Sequence, residues 1–201
     1  MASSETVLQK IEEIRSIDPE SANLYSRVHS SLYDAGRNHV DHDHAFWWAC
    51  EKGHSMIAEW IYSLDRVNIH ARDDYAFKRA CYRGHEIIAK WIHSLGGVDI
   101  HAEDDYAFIV ACEHGHESIA KWLYSLGDVY IHTRKDYAFR WACENGHESI
   151  AMWLHSLGGV DIHARDDHAL VKAHKNGHQS IVKWLYSLGE AKGIEKHMEK
   201  I

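Results

Sequence analysis

Residues 74–96 of the chain read DYAFKRACYRGHEIIAKWIHSLG. Asp74 can accept the free backbone N–H groups of a first helical turn, so we predict that it caps a helix beginning just after it. Gly84 is predicted to end that helix, because glycine tolerates the left-handed conformation of a helix stop. The first half of this stretch is therefore expected to be one short helix.

The second half of the stretch is predicted to form another helix, from His85 or Glu86 to Leu95, which Gly96 closes. Apolar side chains recur in it at helical spacing and form one stripe: Ile88, Trp91, Ile92 and Leu95. The link 97–104 is expected to return the chain to the next aspartate as an extended turn.

The same pattern recurs every 31 residues, and five units without an insertion span residues 41–190. Three columns fix the register: Cys50, Cys81, Cys112 and Cys143; Gly53, Gly84, Gly115, Gly146 and Gly177, each followed by histidine; and Trp60, Trp91, Trp122, Trp153 and Trp184. Each unit therefore reads as helix, Gly-His turn, helix and return link.

One such unit is too small to fold alone. Helices of about nine or ten residues fall below the roughly 12–15 at which an isolated helix becomes marginal in water. Stacked neighbours can bury the apolar stripes together, as in other repeat arrays. The tryptophan column lies on this stripe, and its large rings are predicted to fill the gap between repeats. We therefore predict an all-α fold, a solenoid of stacked helix–turn–helix repeats with short return turns.

The two ends are predicted to cover the array. Residues 1–40 contain two amphipathic segments, Thr6–Ile17 and Ser21–Leu32, and are expected to form a degenerate capping repeat. Residues 191–201 are expected to form a capping helix or a tail.

Composition excludes several classes of protein. The chain has 201 residues and a formal net charge of −8, with no basic block for a phosphate backbone, so a nucleic-acid partner is not expected. No apolar run approaches the roughly 18 residues that span a bilayer, and the first ten residues lack a signal-peptide core. We expect an acidic, intracellular, cytoplasmic monomer.

The repeat resembles the ankyrin repeat. Gly84-His85 and Ile88-Ala89 fit that family's G-H-x-x-I-V segment, and Ala80-Cys81 falls where the family has Ala-Ala. The family's T-P-L-H signature is replaced by Tyr75-Ala76-Phe77-Lys78, and the period is 31 residues instead of about 33. Its projecting hairpin is therefore expected to be short here.

The amino-acid sequence of the repeats is also similar to that of ankyrin proteins of amoeba-infecting giant viruses. The alternative origin is a designed, idealised array. The resemblance implies a non-catalytic scaffold that binds a partner protein through its concave face. The partner is then expected to be a host protein and the location the host cytoplasm. No enzyme activity and no cofactor are expected, because no nucleophile stands beside a base outside the repeated columns and no glycine-rich phosphate loop is present.

The cysteine and histidine columns are interpreted as structural. Equivalent helices in a stack lie about 8–10 Å apart, too far for a disulfide, so each cysteine is predicted to be a small buried side chain. The Gly-His histidines are expected to bond backbone groups of their own loop. A second histidine column stands where the resemblance places asparagine and is expected to form a ladder of hydrogen bonds between successive turns: His70, His101, His132 and His163.

One histidine cluster supports an alternative function. His39, His42 and His44 lie with two aspartates in six residues, and imidazole with carboxylate suits zinc, copper or nickel. The alternative to a scaffold is therefore a histidine-dependent metal-binding or pH-sensing repeat protein. The register also explains each residue structurally, with His39 as the first rung of the histidine ladder.

Columns that differ between units are predicted to contact the partner. Repeated columns serve the stack, whereas the surface of helix one and the turn tips vary, and aromatic and arginine side chains are the usual anchors of interfaces. The candidates are Trp47, Trp48, Lys78, Arg79, Tyr82, Arg83, Glu113, His114, Arg134, Lys135, Arg140 and Trp141. The alternative explanation is that these positions vary only because they face solvent, where the sequence can drift.

Overall fold

The computed structural model of the protein describes residues 42–188, in which there are ten helices and no strand. They are α1 (His42–Lys52), α2 (Ser55–Ser63), α3 (Ala71–Arg83), α4 (Glu86–Ser94), α5 (Ala102–Glu113), α6 (Glu117–Ser125), α7 (Thr133–Glu144), α8 (Glu148–Ser156), α9 (Ala164–Lys175) and α10 (Gln179–Ser187). None of these helices is long and apolar enough to cross a membrane. The capping segments predicted at 1–40 and 191–201 lie outside the described residues.

The chain divides into two compact units, with the boundary between Val98 and Asp99. Unit 1 contains α1–α4 and unit 2 contains α5–α10. Within each unit, every odd-numbered helix packs against the even-numbered helix that follows it, and consecutive odd-numbered helices lie side by side. The predicted fold class, stacked helix–turn–helix repeats, is confirmed.

The core of the repeats combines small and large apolar side chains of the first helix with the aliphatic stripe of the second. Four phenylalanines of this column are buried: Phe46, Phe77, Phe108 and Phe139. The cysteines four residues further along are also buried and free, which confirms that they act as small apolar side chains. Burial raises the pKa of all four thiols above the ordinary value.

The tryptophan column joins neighbouring repeats, as predicted. In unit 2 the ring centroid of Trp153 lies 6.2 Å from that of Phe108 and 5.6 Å from that of Tyr124, both in the preceding repeat. In unit 1, Trp91 makes the equivalent contacts with Phe46 and Tyr62. These rings are half-buried, so they fill the gap between repeats at its edge.

The return turn differs from the extended link that we predicted. In α7, Arg134, Lys135 and Asp136 all have left-handed backbone angles, with φ of 53°, 61° and 55°. Equivalent left-handed turns open α3, α5 and α9. Such a conformation costs about 1–2 kcal/mol for each residue that is not glycine, so contacts elsewhere must stabilise the turn.

The aspartate at the end of this turn supplies two such contacts. Asp136 accepts a hydrogen bond from His132 Nδ1 at 2.6 Å, and its other carboxylate oxygen accepts the backbone N–H of Asp161 in the next turn at 3.2 Å. Asp105 binds His101 and the N–H of Tyr130 in the same way. The aspartate therefore makes the hydrogen bond from one turn to the next. The prediction that the histidine column forms the hydrogen bonds between turns was wrong. Each of these histidines instead bonds the aspartate of its own turn, four residues later.

The Gly-His column also links repeats, although the prediction placed its hydrogen bonds within one loop. His178 Nε2 donates to the carbonyl oxygen of Glu144 in the preceding repeat at 3.0 Å. Its ring lies over Gly146 so closely that a Cβ there would come within 2.6 Å of His178 Cε1. In unit 1, His85 makes the same bond to Glu51 at 2.9 Å, above Gly53. The histidine thus requires a glycine one repeat earlier, because only a residue without a side chain leaves room for its ring.

Candidate protein-binding surface

The predicted contact residues lie on the first helices of the repeats and on the left-handed turns. Trp47 and Trp48 belong to α1, and Glu113 ends α5, with His114 directly after it. The others belong to α3 or α7: Lys78, Arg79, Tyr82, Arg83, Arg134, Lys135, Arg140 and Trp141. Their exposure is unequal, and this separates side chains that a partner can reach from those that hold the repeat together.

Two of the predicted residues are buried. Lys78 is 7% exposed and Arg140 is 4% exposed. Arg140 donates from Nε to the carbonyl oxygen of Lys135 at 2.8 Å and from Nη2 to that of Arg134 at 3.1 Å. It therefore supports the left-handed turn, and burial, together with the nearby Arg165, lowers its pKa. Lys78 and Arg140 are therefore not part of the exposed surface.

Unit 1 presents an aromatic and basic cluster on the surface of α1 and α3. Glu51 accepts hydrogen bonds from Arg79 Nη2 at 2.7 Å and from Arg83 Nη2 at 2.8 Å. Both guanidinium groups lie over the ring of Tyr82, at 4.5 and 5.2 Å from its centroid. The hydrogen bond from Arg79 is the main reason that the pKa of Glu51 falls to about 2. The carboxylate consequently stays ionised and holds both arginines in place.

Trp47 extends this cluster toward the start of α1. Its ring meets Tyr75 edge-on at 5.1 Å and His44 at 4.3 Å, and it remains half-exposed. Trp48 lies on another side of the helix, 5.7 Å from the ring of His54. Of the two tryptophans, Trp47 is continuous with the arginine cluster.

Unit 2 carries a second cluster, on α7 and α9. The ring of Trp141 lies 5.3 Å from that of Tyr137 and 5.9 Å from that of His168. Glu144 is within 3.2 Å of Lys172 Nζ and 3.4 Å of His168 Nε2. Burial lowers the pKa of His168, with Arg140 adding to the effect, and so favours the neutral imidazole.

Glu113 lies beside this second cluster and is electrostatically different from Glu51. Burial raises its pKa, the charge of Glu144 raises it further, and His114 acts in the opposite direction. His114 donates from Nδ1 to the carbonyl oxygen of Val110 at 3.0 Å and stacks on His116. The Glu113 carboxylate thus lies in a partly desolvated position that disfavours its charged form.

The histidines proposed as metal ligands are only partly within the described residues. His39 lies outside them, and His42 and His44 are the first and third residues of α1. Between residues 42 and 188 the structure contains no group of three or more histidine, cysteine, aspartate or glutamate side chains arranged to hold a metal ion. The described geometry therefore gives the metal-binding alternative no support.

Sequence reasoning left several members of these clusters out of the candidates. Tyr75 and Tyr137 occupy a column that is aromatic or histidine in every repeat, so they were assigned to the stack. Glu51, Glu144 and Lys172 are in variable columns, but only the packing of neighbouring helices shows that they pair. The signal was the recurring separation of 28 residues between Glu51 and Arg79 and between Glu144 and Lys172.

The chain is a helical repeat protein. It is built from paired short helices, its contacts between repeats recur along the chain, and the surface of its first helices varies. Residues 108–198 match the family model described as Ankyrin repeats (3 copies), so this part of the chain is similar to ankyrin repeats. No curated protein matches the chain. Ankyrin repeats are generally protein–protein interaction modules and are typically non-catalytic.

Proposed function

We propose that the chain is a non-catalytic scaffold that binds a partner protein through the first helices and turn tips of its repeats. The observation that carries this proposal is that the repeated and the variable sequence positions have different roles. The repeated Gly-His, aspartate, phenylalanine and tryptophan columns make the contacts between repeats. Several positions of the variable columns instead hold half-exposed or exposed aromatic and charged side chains: Trp47, Arg79, Tyr82, Arg83 and Trp141.

The unit 1 cluster is the part of this surface best suited to anchor a partner. Trp47 and Tyr82 are half-exposed and Arg83 is exposed, and these three residue types dominate the binding energy of known interfaces. Arg79 and Glu51 fix the positions of Arg83 and Tyr82 before binding. A preordered cluster loses less side-chain entropy when a partner docks, which favours affinity.

A binding role also agrees with the state of the cysteines. A catalytic thiol needs a lowered pKa and access to substrate. All four cysteines are buried and have raised pKa values, so they are unsuited to nucleophilic chemistry. The resemblance of the repeats to those of giant-virus proteins extends this proposal: the partner is then a host protein in the host cytoplasm.

Simultaneous replacement Trp47→Ala, Tyr82→Ala and Arg83→Ala should lower partner recovery at least tenfold while leaving the helical circular dichroism signal unchanged. Each side chain is a surface anchor, and Arg79 still pairs with Glu51 after the change. Recovery is measured by quantitative mass spectrometry of proteins captured from a cell lysate on the wild-type chain and on the variant.

A matched control places three substitutions on exposed residues elsewhere in unit 1: Glu59→Ala, Arg66→Ala and Ile87→Ala. This control should capture the same proteins as the wild type. Equal recovery by all three baits would contradict the proposed surface.

A further inference from the structure

Three repeats have a glutamate at the same position, in the last turn of the first helix: Glu51, Glu113 and Glu144. The repeat that follows supplies a cation to two of them. Glu51 receives Arg79 and Arg83, which stand 28 and 32 residues later, and Glu144 receives Lys172, again 28 residues later. The repeat therefore brings the residue that stands 28 positions later in the chain close to this carboxylate.

Glu113 lacks the cation that its two equivalents have. The residue 28 positions later is Trp141, and the residue 32 positions later is Asn145, which donates to the Glu113 backbone carbonyl oxygen at 2.9 Å. In the part of the chain that the structure describes, the Glu113 side chain makes no ion pair. It is nevertheless partly buried, and burial raises its pKa.

The surroundings of Glu113 are suited to a planar cation. Tyr137 and Trp141 provide two aromatic rings 5.3 Å apart on the neighbouring helix, and the charge of Glu113 acts on Tyr137. Arg140 lies 5.6 Å from the Tyr137 ring, and its Nε and Nη2 bond the turn carbonyls and not Glu113.

We propose that Glu113 is the acceptor for an arginine side chain of the partner protein, with the rings of Tyr137 and Trp141 as the surface on which its guanidinium stacks. This inference rests on the proposed scaffold function and names the chemistry that one of its contacts takes. The partner's guanidinium pairs with Glu113 from outside the chain, as Arg79 pairs with Glu51 from within it. A formal net charge of −8 favours approach of a basic segment.

Arginine is favoured over lysine for two physical reasons. A guanidinium can donate two parallel hydrogen bonds to a carboxylate, and its weakly hydrated plane stacks on aromatic rings. Unit 1 shows the arrangement within the chain itself, because Arg79 bonds Glu51 while lying 4.5 Å from the centroid of Tyr82.

The first arm of the test supplies the missing cation within the chain. Trp141→Arg places a guanidinium at the position that Arg79 and Lys172 occupy in other repeats, so the fold should tolerate it. Carboxyl carbon NMR should then show the pKa of Glu113 falling from above its ordinary value to below it, toward that of Glu51. Trp141→Leu, which removes the ring without adding charge, should leave the pKa of Glu113 raised. An unchanged pKa in the arginine variant would overturn the inference.

The second arm measures binding. A random linear peptide library displayed on phage is selected against the full wild-type chain, and dissociation constants of the selected peptides are measured. Peptides that contain arginine should be enriched, should lose affinity at least tenfold with Glu113→Gln or Trp141→Arg, and should bind Glu59→Gln, an exposed acid elsewhere, as they bind the wild type.

The outcomes separate this inference from the scaffold function. Peptides that bind the first-helix surface without arginine preference, and equally well to Glu113→Gln, would overturn the inference and leave the scaffold function in place. A selection that yields no binding peptide would count against the scaffold function, and the NMR titration of the Trp141→Arg variant then decides whether Glu113 accepts a guanidinium.

Discussion

Gly146→Ala should lower the free energy of unfolding by about 3 kcal/mol, because two costs act together. Gly146 has φ of 82°, which costs an alanine about 1–2 kcal/mol. The new methyl group would also lie 2.6 Å from His178 Cε1, so the ring must move and lose its bond to the Glu144 carbonyl oxygen. Urea denaturation followed by circular dichroism measures the loss.

Gly177→Ala separates the two costs. Gly177 has nearly the same φ, 81°, but apart from its two chain neighbours no described residue lies within 4 Å of the site where its Cβ would be. Only the conformational cost applies, so this variant should lose about 1 kcal/mol. Equal losses in the two variants would show that the histidine of the next repeat does not select glycine at Gly146.

Asp136→Ala should also lower the free energy of unfolding by about 3 kcal/mol, since hydrogen bonds to a charged group contribute roughly 1.5–3 kcal/mol each. Asp136 is buried and accepts from both His132 Nδ1 and the Asp161 N–H. Its removal leaves both donors without their acceptor and detaches one left-handed turn from the next. Urea denaturation again provides the measurement.

Asp166→Ala is the matched control for this second change. Asp166 has φ of 57°, close to the 55° of Asp136, so both substitutions place alanine in the same left-handed conformation. Asp166 is exposed at the turn tip, and a surface substitution of this kind usually changes stability by about 0.5 kcal/mol or less. A similar loss in both variants would mean that the carboxylate of Asp136 contributes little to the turn.

Helices and their register could be predicted from the sequence because both depend on local, periodic signals. The glycine stop at Gly84 is observed with φ of 80°, and the stripe of the second helix is buried at Ile88 and Ile92. The buried cysteines and the inter-repeat tryptophans were also confirmed, since their 31-residue period shows that every repeat needs them.

Contacts between repeats were less predictable, because their partners are far apart in sequence. His178 bonds a carbonyl 34 residues earlier, and Asp136 accepts an N–H 25 residues later. No local pattern distinguishes these from bonds within one loop. The left-handed turn at Arg134–Asp136 was missed because such residues ordinarily avoid positive φ, and only the tertiary hydrogen bonds stabilise it.

The candidate surface could be predicted in outline only. Variable columns located the first-helix face and identified Arg79, Arg83 and Trp141, whereas composition could not show that Arg140 is buried beneath its own turn. The missing cation at Glu113 is visible only by comparison with Glu51 and Glu144. That comparison requires knowing which residue of the next repeat lies beside each carboxylate.

Each repeat gains its order from its neighbours, because its helices are too short to be stable alone. The most direct measurement is the thermal melting, followed by circular dichroism, of a synthetic peptide that spans residues 133–159 and contains α7 and α8 alone. We predict a mainly unfolded spectrum without a cooperative transition, because the contacts of Asp136, Gly146 and Trp153 with adjacent repeats are absent. A helical peptide that melts cooperatively would contradict the account.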